Sequence, residues 1–287
     1  MRPLLPGGRQ IMIDDISFYT AGCCCQLEAF AVKGGKWRKK QFPALFAVIK
    51  HRNVGNILFD TGYSDHFHSA TNTFPNKLYR WTLPVQLLSN EKAVSILSRN
   101  NIKSTEVNHI ILSHFHADHI AGIKDFPEAM LHALEAGFRQ IQNQKGLSAV
   151  SKGLLKTLLP VDVASRMQFI DTAQKCVLPK WMAPFKFGYD IFNDGSLMAI
   201  DLPGHALGHM GILVNYKKPY FLVADACWDR KAFQDLKFPS KCVNFLMVDV
   251  KAYTKTIQQL HELHCLNPDL AIIPSHCEAS INEILNL

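Results

Sequence analysis

The chain has 287 residues, of which 48% are hydrophobic and 19% are charged, with no low-complexity tract. This composition excludes a disordered or fibrous protein and allows one large domain with a generous core. The 31 Lys and Arg residues outnumber the 24 Asp and Glu residues, which gives a formal charge of +7. Basic residues are spread along the chain, and the tightest run is KWRKK at residues 36–40. We therefore expect a solvated loop there and no nucleic-acid partner.

The opening residues and the cysteines predict a cytoplasmic location. The stretch MRPLLPGGRQIMIDD has no apolar core long enough for a signal peptide, and no apolar run reaches the roughly 18 residues of a membrane span. We therefore expect no membrane partner. Three of the eight cysteines are consecutive, at Cys23, Cys24 and Cys25, and no CxxC pair occurs. Reduced thiols are the expectation, and the role of Cys23–Cys25 stays open.

Short apolar runs predict buried strands, most of which end on a polar or histidine-bearing loop. In chain order they lie at residues 44–49, 56–60, 109–113, 197–202, 220–225, 244–249 and 270–275. Helical periodicity occurs at residues 91–100, 128–144 and 252–265. Strands that alternate with helices in this way indicate an α/β protein. Because no linker is recognisable, we predict one domain over residues 1–287, with insertions near residues 63–90 and 125–192.

Two aromatic-rich segments, residues 63–88 and 178–192, show weak periodicity. Each is consistent with a loop packed over a site, and equally with an ordinary loop anchored by a few buried aromatic residues. Their aromatic side chains are candidates for an apolar substrate pocket: Phe67, Phe74, Tyr79, Trp81, Trp181, Phe185 and Phe187.

The stretch ILSHFHADHIAG, at residues 111–122, places three histidines and a carboxylate within six residues, directly after an apolar strand. Residues two apart in an extended segment project to one side, so His114, His116 and Asp118 can converge, and a turn would bring in His119. A lone histidine is usually an ordinary core or surface residue. Imidazole and carboxylate at this spacing instead suit Zn, Fe, Mn or Co, and predict a metal site.

Similar junctions of an apolar strand with a ligand-capable residue recur further along the chain. The run at 197–202 leads into PGHALGH, which contains His205 and His209. The run at 220–225 ends at Asp225, and the run at 270–275 is followed by His276. One site assembled from four strand ends is the economical hypothesis.

The set SHFHADH, PGHALGH, VADA and IPSH, preceded by LFDTG at residues 58–62, resembles the metallo-β-lactamase superfamily over essentially the whole chain. The resemblance implies a four-layer αββα sandwich with the site at the edge shared by two sheets. It also implies a function for each matching residue: a first metal ion on His114, His116 and His205, a second on Asp118, His119 and His276, a bridge by Asp225, and orientation of ligand histidines by Asp60 and His209.

The expected chemistry is hydrolysis assisted by two divalent ions, with Zn preferred over Fe, Mn or Co. Two such ions about 3.5–4 Å apart can share a water and lower its pKa, which gives a hydroxide nucleophile at neutral pH. They also act as Lewis acids on a carbonyl or phosphoryl oxygen. Asp118 would then pass a proton to the leaving group.

The pattern is most similar to the N-acyl-homoserine lactonase-like branch of the superfamily, which has the same seven-ligand set and a comparable length. One departure concerns Trp228: those lactonases commonly have Tyr three residues after the bridging Asp, whereas DACW places Trp there. An indole N–H can donate a hydrogen bond but is bulkier than a phenol and essentially non-acidic. A substrate contact by Trp228 and plain packing of its ring therefore both stay open.

The expected activity is hydrolysis of a lactone, ester or thioester in a small-molecule substrate. Two alternatives remain: a phosphodiesterase of the same fold, and a non-catalytic metal-binding or sensor protein. The complete ligand set favours the enzyme over the sensor. A homodimer is compatible with the sequence.

Overall fold

The computed structural model describes residues 12–285. Residues 1–11 and 286–287 lie outside the described residues. They include most of the stretch from which the absence of a signal peptide is predicted, and both ends of the predicted domain. Within the described part, no helix combines the length and the apolar character needed to cross a membrane.

Seven strands form the first sheet. Their bounds are β1 Ile13–Leu27, β2 Lys39–His51, β3 Gly55–Phe59, β4 Val85–Gln86, β5 Val107–Ile111, β6 Met130–Ala133 and β7 Met167–Phe169. In space the order is β4-β1-β2-β3-β5-β6-β7. The pairs β1–β2 and β2–β3 are antiparallel, whereas β3, β5, β6 and β7 run parallel. Because β3 and β5 are parallel neighbours, the residues that follow them lie at one edge of the sheet.

Six strands form the second sheet. Their bounds are β8 Cys176–Val177, β9 Phe187–Asp190, β10 Leu197–Asp201, β11 Met210–Val214, β12 Tyr220–Ala224 and β13 Ala271–Pro274. In space the order is β13-β12-β11-β10-β9-β8. The strands β10, β11 and β12 pair antiparallel, and β12 pairs parallel with β13. The carboxyl ends of β10, β12 and β13 therefore point to the same edge.

Helices lie mainly on the outer faces of the two sheets. Their bounds are α1 Glu28–Ala31, α2 Asp65–Ala70, α3 Lys77–Thr82, α4 Ala93–Arg99, α5 Ala117–Ile120, α6 Glu135–Asn143, α7 Gly146–Ser151, α8 Val163–Arg166, α9 Lys231–Gln234, α10 Val250–Leu266 and α11 Glu278–Leu285. The longest, α10, begins after Asp249, whose side chain accepts hydrogen bonds from the N–H groups of Lys251 and Ala252. It ends before Asn267-Pro268, as the proline requires.

Alternating side chains of the strands divide the core into three buried layers. In β2, Ala47 and Ile49 face the layer between the two sheets, while Phe46 and Val48 face the helices outside the first sheet. In β12, Leu222 faces the layer between the sheets, and its neighbours face α9 and α10. Helix, sheet, sheet and helix thus stack as a four-layer αββα sandwich, and the predicted fold class is confirmed.

Two predictions of secondary structure are wrong. Residues 244–249 were expected to form a strand, but Lys241–Leu246 is a 3₁₀ helix. Within this helix only Val243 is buried, whereas Phe245 and Leu246 are exposed, a pattern that a continuous apolar run conceals. The first half of the predicted helix at 128–144 is strand β6, and only the second half is helical, as α6. The other predicted strands are present.

Candidate metal centre

The ends of four strands bring all seven predicted ligand residues to one place. The segment after β5 carries four of them, and the loops after β10, β12 and β13 carry one each. They form two groups, and within each group the ligand atoms lie within 4.8 Å of one another. The first group contains His114, His116, His205 and Asp225, and the second contains Asp118, His119 and His276.

The carboxylate of Asp225 lies between the two groups. Its Oδ2 is 3.2 Å from Nε2 of His205 in the first group. Its Oδ1 is 3.1 Å from Nε2 of His276 and 3.4 Å from Nε2 of His119 in the second group. Oδ2 therefore faces an imidazole of the first group, and Oδ1 faces two imidazoles of the second group. This is the arrangement that a bridging ligand needs.

Asp60 orients His119, as the sequence predicts. The carboxylate accepts a 2.7 Å hydrogen bond from Nδ1 of His119, so Nε2 of that ring faces the cluster. The same carboxylate accepts from the N–H and the hydroxyl of Ser113, each at 2.8 Å. Asp60 itself has a φ of 58°, a left-handed conformation that costs energy in a non-glycine residue. Its three hydrogen bonds hold it there at the end of β3.

Two backbone carbonyls fix two further rings. Nδ1 of His276 donates to the carbonyl oxygen of Pro43 at 2.7 Å, which leaves Nε2 facing the cluster. Nδ1 of His209 donates to the carbonyl of Leu202 at 2.8 Å. The structure departs from the expectation that His209 orients a ligand histidine by a hydrogen bond. Its Nε2 instead accepts the backbone N–H of Asp225 at 3.1 Å, so His209 positions the loop that carries this carboxylate.

Buried atoms without hydrogen-bond partners show that the cluster fits metal ions. Nε2 of His114, Nε2 of His119, Nδ1 of His205 and Oδ1 of Asp225 are buried, and none has a hydrogen-bond partner among the described residues. Buried polar atoms almost always have a partner, because leaving one unpaired costs about 1–3 kcal/mol. All four belong to side chains that bind divalent metals such as zinc. Metal coordination accounts for the two Nε2 atoms and for Oδ1 of Asp225, whereas His205 turns its other ring nitrogen, Nε2, toward Asp225.

The charges around the cluster also favour a cation. Burial opposes a positive charge on His119, yet the carboxylate of Asp118 and its neighbours outweigh burial and raise the pKa of His119 well above its usual range. On His276, burial again opposes a positive charge, but the carboxylate of Asp225 outweighs burial and raises the pKa of His276 well above its usual range. At the other end of the cluster, burial lowers the pKa of His114, which keeps that imidazole in the neutral form that binds metals.

Trp228 contacts the cluster directly, and a group of buried aromatic side chains lies within the electrostatic influence of Asp118. Trp228 donates its indole N–H to Oδ2 of Asp225 at 3.1 Å, and its ring stands edge-on to His205 at 5.8 Å. Phe67 lies between Tyr63 and Tyr79 in edge-to-face contacts of 5.2 and 5.6 Å. Burial raises the pKa of both tyrosines, and the charge on nearby Asp118 raises it further.

Other predicted pocket residues lie elsewhere. Trp81 is 63% exposed and stacks with Lys77. Trp181 packs in the outer core of the second sheet, and its carbonyl accepts from Asn267 at the end of α10 remote from the ligand loops. Neither makes a recorded contact with the candidate ligands among residues 12–285. Of the predicted pocket residues, only Trp228 contacts candidate ligands among the described residues.

The sequence analysis missed Gly204, which positions the loop of His205. Gly204 has a φ of +125°, and a Cβ there would lie 2.1 Å from the backbone nitrogen of Tyr253. Its carbonyl accepts from the N–H of Asp249 at 3.0 Å, and the carbonyl of His205 accepts from Val248 at 3.3 Å. The glycine in PGHALGH was the available signal, because glycine marks a position of close backbone approach.

Comparisons with known proteins agree with this geometry. A model of the metallo-beta-lactamase superfamily matches residues 43–130, which include Asp60 and the HxHxDH segment. The probable metallo-hydrolase Rv2300c of Mycobacterium tuberculosis is 25% identical over 233 residues, which cover 77% of this chain and 71% of that protein. The N-acyl homoserine lactonase AttM of Agrobacterium fabrum is 24% identical over 215 residues, which cover 72% of this chain and 76% of that lactonase.

A solved structure shows the same fold. It is an N-acyl homoserine lactone hydrolase with the product N-hexanoyl-L-homoserine bound at its catalytic metal centre, and it superposes with a TM-score of 0.72 at 16% identity. The alignment covers 95% of this chain and 97% of that one. Motifs, fold and relatives agree with one another. Residues 43–130 match the metallo-β-lactamase superfamily, and the chain resembles the N-acyl-homoserine lactonase-like branch of that superfamily.

Proposed function

We propose that this protein is a hydrolase that uses two divalent metal ions to cleave a lactone, ester or thioester in a small-molecule substrate. The observation that carries the proposal is the convergence of seven ligand-capable side chains with four buried atoms that have no hydrogen-bond partner. A purely structural cluster would satisfy those atoms within the protein.

The two groups of side chains suit two ions, with Zn preferred over Fe, Mn or Co. When bound, such ions supply Lewis acidity and lower the pKa of water toward neutrality. The first ion would be held by His114, His116 and His205, the second by Asp118, His119 and His276, with Asp225 shared between them. Asp60 and the carbonyl of Pro43 keep two of the imidazoles in the tautomer that presents Nε2 to the cluster.

Asp118 is the residue we assign to proton transfer. Its Oδ2 is 3.2 Å from Nε2 of His276, and its Oδ1 is 3.7 Å from Nε2 of His119. Burial opposes its charge, but the two imidazoles outweigh burial and lower the pKa of Asp118. The group is therefore a carboxylate at neutral pH, able to accept a proton and pass it to a leaving group.

An acyl substrate is favoured by the apolar surroundings and by the relatives. The aromatic side chains of Tyr63, Phe67 and Tyr79 form a buried stack on the side of the site near Asp118. A polar metal centre beside an apolar wall suits a carbonyl group that carries a medium-length acyl chain. The lactonase AttM, which this chain resembles, acts on an acyl lactone by its name.

Metal analysis and a hydrolysis screen test the proposal together. We expect close to two metal ions per chain by elemental analysis after gentle purification in metal-supplemented medium. We also expect turnover of at least one lactone, ester or thioester. Asp225→Ala should lower metal content and nearly abolish turnover. Asp229→Ala, four residues further on in the same loop, is the matched control and should keep both.

The outcomes separate the alternatives. Only trace metal in the wild-type protein would reject the metal centre itself. Full metal content without turnover across the screen would support a binding or sensor protein, whereas activity confined to phosphodiesters would reject the acyl class. If the Asp225→Ala variant kept its full metal content and full activity, Asp225 would not be shared between the two metal ions.

A homologous series tests the apolar wall separately. Each buried CH₂ contributes about 0.8 kcal/mol, so four enclosed methylenes would raise kcat/KM by roughly two orders of magnitude. We therefore expect kcat/KM to rise from short to medium acyl chains. A flat or falling trend with chain length would reject the apolar pocket without affecting the assignment of the metal ligands.

A further inference from the structure

Two exposed segments that are distant in sequence meet beside the metal centre. The first is residues 28–41, which contain α1 and the loop after it, and the second is residues 235–251. The N–H of Lys33 donates to the carbonyl of Phe238 at 2.8 Å, and the N–H of Ser240 donates to the carbonyl of Phe30 at 3.2 Å. We call the surface that they form the basic–aromatic face.

Large apolar side chains on this face are exposed to solvent. Trp37 is 78% exposed and Phe245 is 77% exposed, while Val248 and Leu246 are 50% and 42% exposed. Their neighbours Val243 and Met247 are buried and anchor the second segment. The exposed residues are therefore held outward on a fixed backbone. Exposed apolar residues in a cluster, unlike single ones, indicate an interaction site.

The same face carries most of the net positive charge of the protein. Residues 28–41 and 235–251 contain eight Lys and Arg residues and three Asp and Glu residues, which is +5 of the formal charge of +7. All three acidic side chains are engaged: Glu28 with Arg38, Asp235 with Lys237, and Asp249 as the cap of α10. Five exposed lysines form no ion pair with any of residues 12–285: Lys33, Lys36, Lys39, Lys241 and Lys251.

This face is continuous with a loop of the candidate metal centre. The N–H of Val248 donates to the carbonyl of His205 at 3.3 Å, and the N–H of Asp249 donates to the carbonyl of Gly204 at 3.0 Å. At its other end, Lys40 is 3.8 Å from Asp229, the residue after Trp228. Whatever binds this face therefore lies next to the ligand loops.

We propose that the basic–aromatic face docks the protein on an anionic lipid surface. Aromatic and aliphatic side chains that insert at the headgroup level, surrounded by lysines, are the combination that binds such membranes. Nucleic acid would match the lysines but would leave the aliphatic Val248 and Leu246 without a partner. The proposal replaces the expectation, drawn from the absence of a long apolar run in the sequence, that the protein has no membrane partner.

Docking would bring the site close to amphiphilic substrates that partition into lipid. This consequence depends on the proposed function as an acyl hydrolase, whereas docking on the lipid surface does not. The experiment therefore uses no substrate, so that its result is independent of the result of the hydrolysis screen.

Co-sedimentation with vesicles tests the docking. The wild-type protein is mixed with vesicles of phosphatidylcholine alone, or of phosphatidylcholine with about one third phosphatidylserine, at low and physiological salt. We expect at least tenfold stronger binding to the anionic vesicles, weaker binding as salt increases, and a blue shift of tryptophan fluorescence on binding.

Substitutions separate the apolar and charged contributions. Lys36→Gln with Lys241→Gln removes two positive charges, each worth about fivefold near an anionic surface, so we expect roughly thirtyfold weaker binding. Trp37→Ser with Phe245→Ser should weaken binding by at least tenfold and abolish the blue shift. Phe187→Ser with Lys103→Gln is the matched control: Phe187 is 54% exposed, and both residues lie outside the face. Circular dichroism confirms that each variant folds.

Three results would overturn the proposal. The first is no sedimentation, or equal sedimentation with neutral and anionic vesicles. The second is binding to an oligonucleotide that survives Trp37→Ser with Phe245→Ser while vesicles are not bound. The third is a wild-type dimer that the same double variant dissociates and that binds no vesicles, because the occupant of the face would then be a second copy of the chain.

Discussion

Trp228 donates its indole N–H to Oδ2 of Asp225 across 3.1 Å, and this same oxygen is 3.2 Å from Nε2 of His205. Oδ1 of the carboxylate has no hydrogen-bond partner among the described residues. The sequence left open whether Trp228 contacts substrate or packs in the core. The structure shows the ring packed against the buried core, and its indole N–H also holds the carboxylate that lies between the two groups of candidate ligands.

Trp228→Phe should weaken metal binding, because phenylalanine keeps an aromatic ring beside His205 but removes the N–H donor to Asp225. A hydrogen bond to a charged group is worth about 1.5–3 kcal/mol, so we expect metal affinity to fall by roughly tenfold or more. Chelator competition measures this without turnover. Trp181→Phe, in the outer core, is the control and should not change the affinity. Equal affinities for wild type and Trp228→Phe would reduce Trp228 to a packing residue.

Asp118→Asn tests proton transfer. The amide is nearly isosteric with the carboxylate but cannot take up a proton, so kcat should fall by about 10²–10⁴ if the carboxylate contributes in the usual way. Metal content is measured on the same samples, and the rates are compared at full loading, because the amide is also a weaker ligand. An unchanged kcat would remove Asp118 from the reaction.

Asp60→Asn tests the orientation of His119. Loss of a carboxylate that orients a ligand histidine typically lowers metal affinity by about 10–100-fold. Asp125→Asn is a matched control, since Asp125 accepts a similar 2.8 Å hydrogen bond from His66. Neither Asp125 nor His66 is a candidate metal ligand. Affinity should fall for Asp60→Asn only. A similar loss in both variants would point to general destabilisation.

Gly204→Ala should destabilise the protein, since its φ is +125° and the new Cβ would lie 2.1 Å from the backbone nitrogen of Tyr253. Strain and overpacking together should lower the free energy of unfolding by about 3 kcal/mol or more. Gly146→Ala is the control: its φ is +60°, but nothing lies within 4 Å, so only the cost of the left-handed conformation remains, about 1 kcal/mol. Urea unfolding measures both, and equal losses would show that the loop relaxes around the methyl group.

A buried histidine pair remote from the candidate ligands predicts acid sensitivity. Nδ1 of His109 is 2.9 Å from Nε2 of His132. Burial, and then the neighbouring His109, lower the pKa of His132 from 6.5 to about 4. The unfolded chain therefore binds more protons than the folded protein between these two values. Stability is full above pH 6.5 and falls as the pH decreases toward 4, by about 2 kcal/mol between pH 8 and pH 5.

His132→Gln isolates this contribution, since glutamine keeps a donor and an acceptor but does not titrate. Urea unfolding of metal-free protein at pH 8 and pH 5 should show that wild type loses about 2 kcal/mol more than the variant on acidification. Wild type and variant have the same candidate metal ligands, so the contribution of those ligands to the pH dependence cancels when the two losses are compared. Equal losses would mean that His132 has an ordinary pKa in the folded protein.

The sequence by itself indicated an α/β protein and a set of candidate ligands, and its resemblance to the metallo-β-lactamase superfamily implied the four-layer sandwich. Strand β5 and the HxHxDH segment are contiguous, so local periodicity and ligand spacing express them directly, and the same holds for the ligands that follow β10, β12 and β13. It did not determine the secondary structure at residues 244–249, where a continuous apolar run hides the exposure of Phe245 and Leu246 in a 3₁₀ helix.

Only the tertiary structure decided which groups orient the ligands and what the surface presents. The carbonyl that fixes His276 belongs to Pro43, 233 residues away, and every carbonyl looks alike in a sequence. The indole of Trp228 meets Asp225 because of the path of one loop. The lysines of residues 28–41 and 235–251 appear dispersed along the chain and form one face only because backbone hydrogen bonds join the two segments. Such long-range contacts depend on how the layers pack, and no local periodicity records them.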